Sequence, residues 1–185
     1  MPHKTITYIA LMRAINVGGH VVTMERLRGL FSELGFTNVR SYIQTGNVFF
    51  DTYEADRTSL TGRIQDHLQR ELGYAVPTML RTVDEVKAAL NLEPFKDVKV
   101  TLAVRLCIAF LSEPLPDSLV LPHISPRKDF EILSSTQGEA FVVLRLIEGS
   151  PGNLTAYLEK NFNLNATVRF FATTQKILEA AEKRP

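Results

Sequence analysis

Two short stretches gather the residue types that recognise an anion. The first is Arg13-Ala-Ile-Asn16-Val-Gly18-Gly19-His20, and the second is Gln44-Thr45-Gly46-Asn47. A guanidinium offers a planar fork of donors to phosphate or carboxylate. Adjacent glycines let the backbone approach a ligand closely and turn its N–H groups toward it. Thr23 is placed to cap a helix, whose N-terminus would add unpaired N–H groups and a partial positive charge beside Arg26 and Arg28. Gln44 and Asn47 carry directed donors and acceptors that would orient the bound group. The candidate ligand site is therefore Arg13, Asn16, Gly18, Gly19, His20, Gln44, Thr45, Gly46 and Asn47, with His20 the best single candidate for acid–base work. The same residues also read as turn chemistry: a tight strand-to-helix bend satisfied by Asn16, and a plain hairpin closure at Gln44 to Asn47.

Other chemistries find less support. The four histidines, His3, His20, His67 and His123, have no metal-ligand spacing, and no Gly-x-Ser-x-Gly elbow is present. The P-loop and dinucleotide fingerprints are both missing, so neither a metal nor a cofactor is expected. Asp51, Glu54 and Asp56 could hold Mg²⁺, but a solvated loop that opens a helix explains them better. No reaction type can be named from these residues.

The chain has 185 residues and, at about 150 residues per domain, amounts to one or two domains. Lys and Arg number 21 against 20 Asp and Glu, and the residues before and after position 92 are each close to neutral. No basic half exists to coat a phosphate backbone, which disfavours nucleic acid as a partner. The single cysteine, Cys107, sits in the apolar run Leu106 to Leu111 and reads as a small buried hydrophobe. The N-terminus lacks a cleavage pattern and no apolar run approaches eighteen residues, so the expectation is a cytoplasmic protein without a membrane partner.

The elements that must position the candidate residues follow from periodicity. Thr7 to Ala14 reads as a central strand. A helix follows with Met24, Leu27, Leu30, Phe31 and Leu34 on one stripe, ended by Gly35. Two short strands, Val39 to Ile43 and Val48 to Asp51, flank Gln44 to Asn47 as a hairpin. A second helix carries Leu60, Ile64, Leu68 and Leu72 and stops at Gly73; a strand from Ala75 to Arg81 and a helix from Asp84 to Leu90 follow. This order is β-α-β-β-α-β, the split arrangement of ferredoxin-like folds, with one helix added.

After Glu93-Pro94-Phe95-Lys96-Asp97 the pattern returns. A strand spans Val100 to Leu111, a turn or short helix Pro114 to Pro122, and a hairpin Phe130 to Ile147 with its tip at Thr136 to Glu139. A helix from Gly152 to Phe162, a strand from Ala166 to Phe171 and a last helix ending near Ala181 complete the chain. The fold class is α+β: two ferredoxin-like units with antiparallel sheets and helices on one face. The expected divisions are residues 1–92, a linker at 93–99, and a second, diverged unit at 100–185. In such a topology the exit of the first strand lies beside the turn joining the second and third, which brings the two candidate stretches to one rim.

Tyr8-Ile-Ala-Leu-Met-Arg-Ala-Ile-Asn-Val-Gly-Gly19, the helix end Leu34-Gly35-Phe36, and Asn38-Val-Arg-Ser-Tyr-Ile-Gln-Thr-Gly-Asn-Val-Phe49 resemble the signature of DUF1697, an uncharacterised, mainly bacterial family. The resemblance implies an α+β architecture with a ferredoxin-like part, and no particular activity. Members of that family typically carry Gly-Arg-Ser-Lys where this chain has Ser150-Pro151-Gly152-Asn153, and Arg-Asn-Trp where it has Arg169-Phe170-Phe171; of these only Arg169 carries over.

The leading expectation is a protein that binds a small phosphate- or carboxylate-bearing molecule at this rim. A protein-interaction or self-association module is the alternative, which leaves a homo-oligomer open. A third reading, weak RNA binding through Val48-Phe49-Phe50, is set against an absent RNA-recognition motif and a near-neutral chain, so those phenylalanines are expected in the core.

Overall fold

The computed structural model describes residues 4–183, so His3 and the first residues of the chain lie outside the described residues. The first sheet comprises β1 (Ile6–Met12), β2 (Thr37–Ser41), β3 (Asn47–Thr52) and β4 (Thr78–Thr82), in the order β2-β3-β1-β4 with every neighbour antiparallel. Helix α1 (Met24–Glu33) joins β1 to β2, and α2 (Arg57–Leu72) joins β3 to β4, which is the ferredoxin-like arrangement. The expected apolar stripes do the packing: Leu27, Leu30 and Phe31 of α1 and Leu60, Ile64 and Leu68 of α2 are fully buried with Tyr8, Ala10, Met12, Val48, Phe50 and Leu80. Alternate residues Ile9, Leu11 and Phe49 belong to the opposite face and are buried as well. A strand buried on both faces reads as a continuous apolar run, as Tyr8 to Met12 does.

The helix ends are set by the residues that periodicity places there. Thr23 Oγ1 accepts the N–H of Arg26 at 3.1 Å, and Asp56 accepts those of Thr58 and Ser59 at 3.1 and 3.2 Å. Gly35 and Gly73 follow α1 and α2 with φ of +82° and +81°, a conformation that costs glycine little. Helix α3 (Val83–Asn91) then continues directly from β4.

The second sheet comprises β5 (Val104–Leu111), β6 (His123–Ile124), β7 (Phe130–Ser135), β8 (Glu139–Arg145) and β9 (Ala166–Phe170), in the order β6-β7-β8-β5-β9. Without the two-residue edge strand β6, its strand order repeats that of the first sheet. Helix α4 (Leu154–Phe162) connects β8 to β9, and α5 (Phe171–Glu182) continues from β9 as α3 does from β4. One crossover differs: residues 112–122 contain no helix. Pro114, Pro116 and Pro122 withhold the N–H groups a helix needs, and Leu115, Leu119 and Leu121 pack on the core from an irregular chain instead. Strand β5 also starts later than the expected Val100, because Val100 and Leu102 point into solvent.

By contact the chain forms two compact units, one of the residues up to Val86 with those from Ile177 onward, the other of Lys87–Lys176. Within the first unit, Arg40 on edge strand β2 lies over the Phe49 ring, 5.5 Å from its centre. Its guanidinium donates to the carbonyls of Ala180 and Ala181 at 3.0 and 3.2 Å, and also to that of Lys183. These are the carbonyls that a helix C-terminus leaves without partners. No described helix is long and apolar enough to cross a membrane.

Candidate functional site

The two candidate stretches meet at one end of the first sheet. Leu11 pairs with Asn47 in the last rung of the β1–β3 ladder, and the N–H of Met12 donates to the carbonyl of Gly46 at 2.9 Å. Beyond that rung the Asn16 side chain ties the loops together. Its Nδ2 donates to the carbonyl of Gln44 at 3.1 Å, and its Oδ1 accepts the N–H of Val22 at 2.7 Å. Arg13, half-buried, is anchored through its N–H to the carbonyl of Pro77 at 2.9 Å.

The backbone between Arg13 and Thr23 is unusual. Ala14, Asn16, Gly18 and Gly19 all have positive φ, from +55° to +87°, with negative φ at Ile15 and Val17 between them. Alternation of this kind turns successive N–H groups toward the same side and makes a concavity suited to anions. Among the described residues, no hydrogen bond uses the N–H of Asn16, Gly18 or Gly19. Gly18 and Gly19 are both exposed, and a Cβ built on either would meet nothing within 4 Å. His20 lies flat on Tyr74, with ring centres 3.8 Å apart and planes 23° from parallel. The Tyr74 hydroxyl is buried and has no hydrogen-bond partner among the described residues.

The candidate residues divide by exposure. Gly18, Gly19, His20, Gln44 and Thr45 face solvent, and Arg13 and Asn16 are half-buried. Gly46 and Asn47 lie beneath the turn. Asn47 is fully buried, its Nδ2 donating to the carbonyl of Tyr42 at 3.2 Å and to Thr45 Oγ1 at 3.0 Å, so its amide holds the turn and does not face a ligand. Gly46 has φ of +75° and sits where a Cβ would come within 3.0 Å of Ile15. Tyr74, the platform beneath His20, was not among the expected residues; its signal is its place just after the helix-ending Gly73.

Other candidates resolve into structural roles. Asp51 accepts from Thr7 Oγ1 at 2.6 Å and from Asn38 Nδ2 at 3.1 Å, Glu54 pairs with Arg63 at 3.1 Å, and Asp56 caps α2. The acidic trio is thus dispersed among separate partners, and among the described residues no three His, Cys, Asp or Glu side chains are placed to hold a metal ion. Phe49 and Phe50 are buried, which removes the stacking surface an RNA reader would need. Cys107 is buried too, and loss of solvation pushes its thiol up to about 12, against a weaker opposite pull from Arg105.

The second unit repeats the strand exit: the N–H of Leu111 donates to the carbonyl of Gly138 at 2.8 Å. It carries no diglycine bend. Asn153 caps α4 by accepting the N–H of Ala156 at 3.0 Å, and a Cβ at Gly152 would lie 2.8 Å from the Asp129 carboxyl carbon. Arg169 donates to Thr167 Oγ1 at 2.8 Å, and burial lowers its guanidinium to about 10.

At the opposite end of β1 the first unit holds a charged network. Arg57 Nη2 donates to both oxygens of Glu85 at 2.7 and 2.8 Å, and Glu85 Oε2 accepts the N–H of Thr82 at 2.8 Å. Burial pushes the Glu85 carboxyl up, but the hydrogen bonds from Arg57 and Thr82 and the positive charges of Arg57 and Arg81 together outweigh it and leave the group below its ordinary value.

A family model described as a protein of unknown function (DUF1697) matches residues 6–141. The match ends before Ser150 to Asn153 and Arg169 to Phe171. The solved structure of the conserved bacterial protein SP0830 from Streptococcus pneumoniae is similar with a TM-score of 0.71 and 22% identity, over 97% of this chain and 100% of that one. Likeness at that identity is one of fold. Among curated proteins none matches.

Proposed function

The chain belongs to the DUF1697 family of proteins of unknown function, and we propose that it binds a small phosphate- or carboxylate-bearing molecule at the rim of its first sheet. The observation that carries this reading is the set of amides at Asn16, Gly18 and Gly19 that donate to no described residue, on a backbone whose φ alternates in sign from Ala14 to Gly18. In this reading the amides donate to the anion, Arg13 supplies compensating charge, and Gln44 and Thr45 border the bound group from the hairpin. Asn16 holds the two loops in register, and Gly46 and Asn47 support the turn from below. No chemical step is assigned.

The test is a thermal-shift screen of phosphorylated and carboxylated metabolites on the full chain. Stabilisation by RT ln(1 + [L]/Kd) is expected, about 2.7 kcal/mol at a hundredfold excess over Kd. Arg13→Ala should weaken it strongly, and equal shifts in wild type and variant would remove the proposal. A second reading, a docking module without catalysis, draws on Val17, Val21 and Ile43, which are 56%, 87% and 44% exposed on the same loops. It predicts concentration-dependent self-association in light scattering that Val21→Asp abolishes.

A further inference from the structure

The end of the first unit away from the rim carries an open cleft of about 620 Å³. Its walls are the start of β1 (Lys4 to Thr7), the junction of β4 and α3 (Thr82 to Asp84), and the last turn of α5 (Ala181, Glu182). The volume falls in the range of small-molecule sites, roughly 300–1,000 Å³. Most polar groups on the wall are already engaged. Thr7 Oγ1 donates to Asp51, Thr82 exchanges hydrogen bonds with Glu85, and Glu182 has a partner of its own. Lys4 and Asp84 differ: both are exposed, and no hydrogen bond or ion pair joins either one to another described residue.

From this juxtaposition we infer that the cleft binds a small zwitterion, a free amino acid or a short peptide, with its carboxylate on Lys4 and its ammonium on Asp84. A simple anion would meet Asp84 as well as Lys4, and a simple cation the reverse, so a wall with one uncommitted charge of each sign beside the already engaged Glu182 selects a ligand that carries both. Ile6, Val83 and Ala181 provide an apolar surface for the ligand's side chain. The backbone that presents Asp84 is held firmly: the N–H of Glu85 donates to Thr82 Oγ1 at 3.2 Å while the Glu85 carboxylate returns to the N–H of Thr82, a reciprocal cap fixed further by Arg57.

Calorimetric titration of the full chain tests this with four probes: L-leucine, L-leucyl-L-leucine, 4-methylpentanoate and 3-methylbutylamine. At least one of the two zwitterions should bind, and which one does sets the ligand size. The two probes that lack one charge should bind about tenfold more weakly or not at all. Asp84→Asn and Lys4→Gln, both at exposed positions and checked for folding by circular dichroism, should each lose about tenfold. Absence of binding by both zwitterions up to about 10 mM overturns the assignment, as does equal affinity for the singly charged probes or for the two variants.

Discussion

Gly46→Ala is the sharpest probe of the rim's construction. Two costs combine at this position. An L-residue at φ of +75° loses about 1–2 kcal/mol relative to glycine. The new methyl group would lie 3.0 Å from Ile15 Cβ and Cγ1 and 3.2 Å from Met12 Cβ. Ile15 and Met12 are both buried, so these contacts are with atoms close to the backbone that cannot swing aside. Overpacking of this kind costs about 1–3 kcal/mol, for a total of about 2–5 kcal/mol. Gly18→Ala is the control. Its φ of +64° imposes the same kind of conformational cost, but nothing lies within 4 Å of its Cβ, so about 1–2 kcal/mol is expected. Urea unfolding followed by tyrosine fluorescence is the assay, because the chain has no tryptophan and Tyr8, Tyr42, Tyr53 and Tyr74 all lie in the first unit. If the two variants are destabilised within about 0.5 kcal/mol of one another, the steric argument is wrong and the loop is looser than described.

Two further outcomes follow from titratable side chains. Cys107 should not react with a disulfide reagent at pH 8 in the native protein and should react with one equivalent in denaturant; rapid native labelling would contradict its burial. Glu85, held below its ordinary value, contributes stability that is present above the unfolded carboxyl range near 4.3 and lost as pH falls through the lower folded value. Glu85→Gln should therefore be less stable than wild type at pH 7, with the gap narrowing toward pH 3, and a gap of constant size would refute the linkage.

The parts of the fold that periodicity governs were legible from the residues. The stripes of α1 and α2 named their buried faces, Thr23 and Gly73 marked helix ends, and the β-α-β-β-α-β order was enough to bring Leu11 and Asn47 to neighbouring positions. The first crossover of the second unit was less legible, since leucines at 115, 119 and 121 serve an irregular chain as well as a helix and the prolines decide between them. Exposure within the rim was not readable either. Asn47 has the composition of a ligand contact, but hydrogen bonds to Tyr42 and Thr45 let it be buried. The carbonyls that Arg40 reaches are about 140 residues away along the chain, beyond any local pattern.

That clasp bears on how the protein is made. The first unit includes residues from Ile177 onward, so the ribosome must add all of Lys87–Lys176 before the carbonyls for Arg40 exist. Until then the β2 edge and the Phe49 ring beneath Arg40 wait without that cover, while the second unit already has its whole sequence. The first unit is therefore the last to be finished, a reversal of the usual N-to-C order of folding during translation. A released chain truncated after Lys176 should carry a complete second unit beside a first one that proteases still reach.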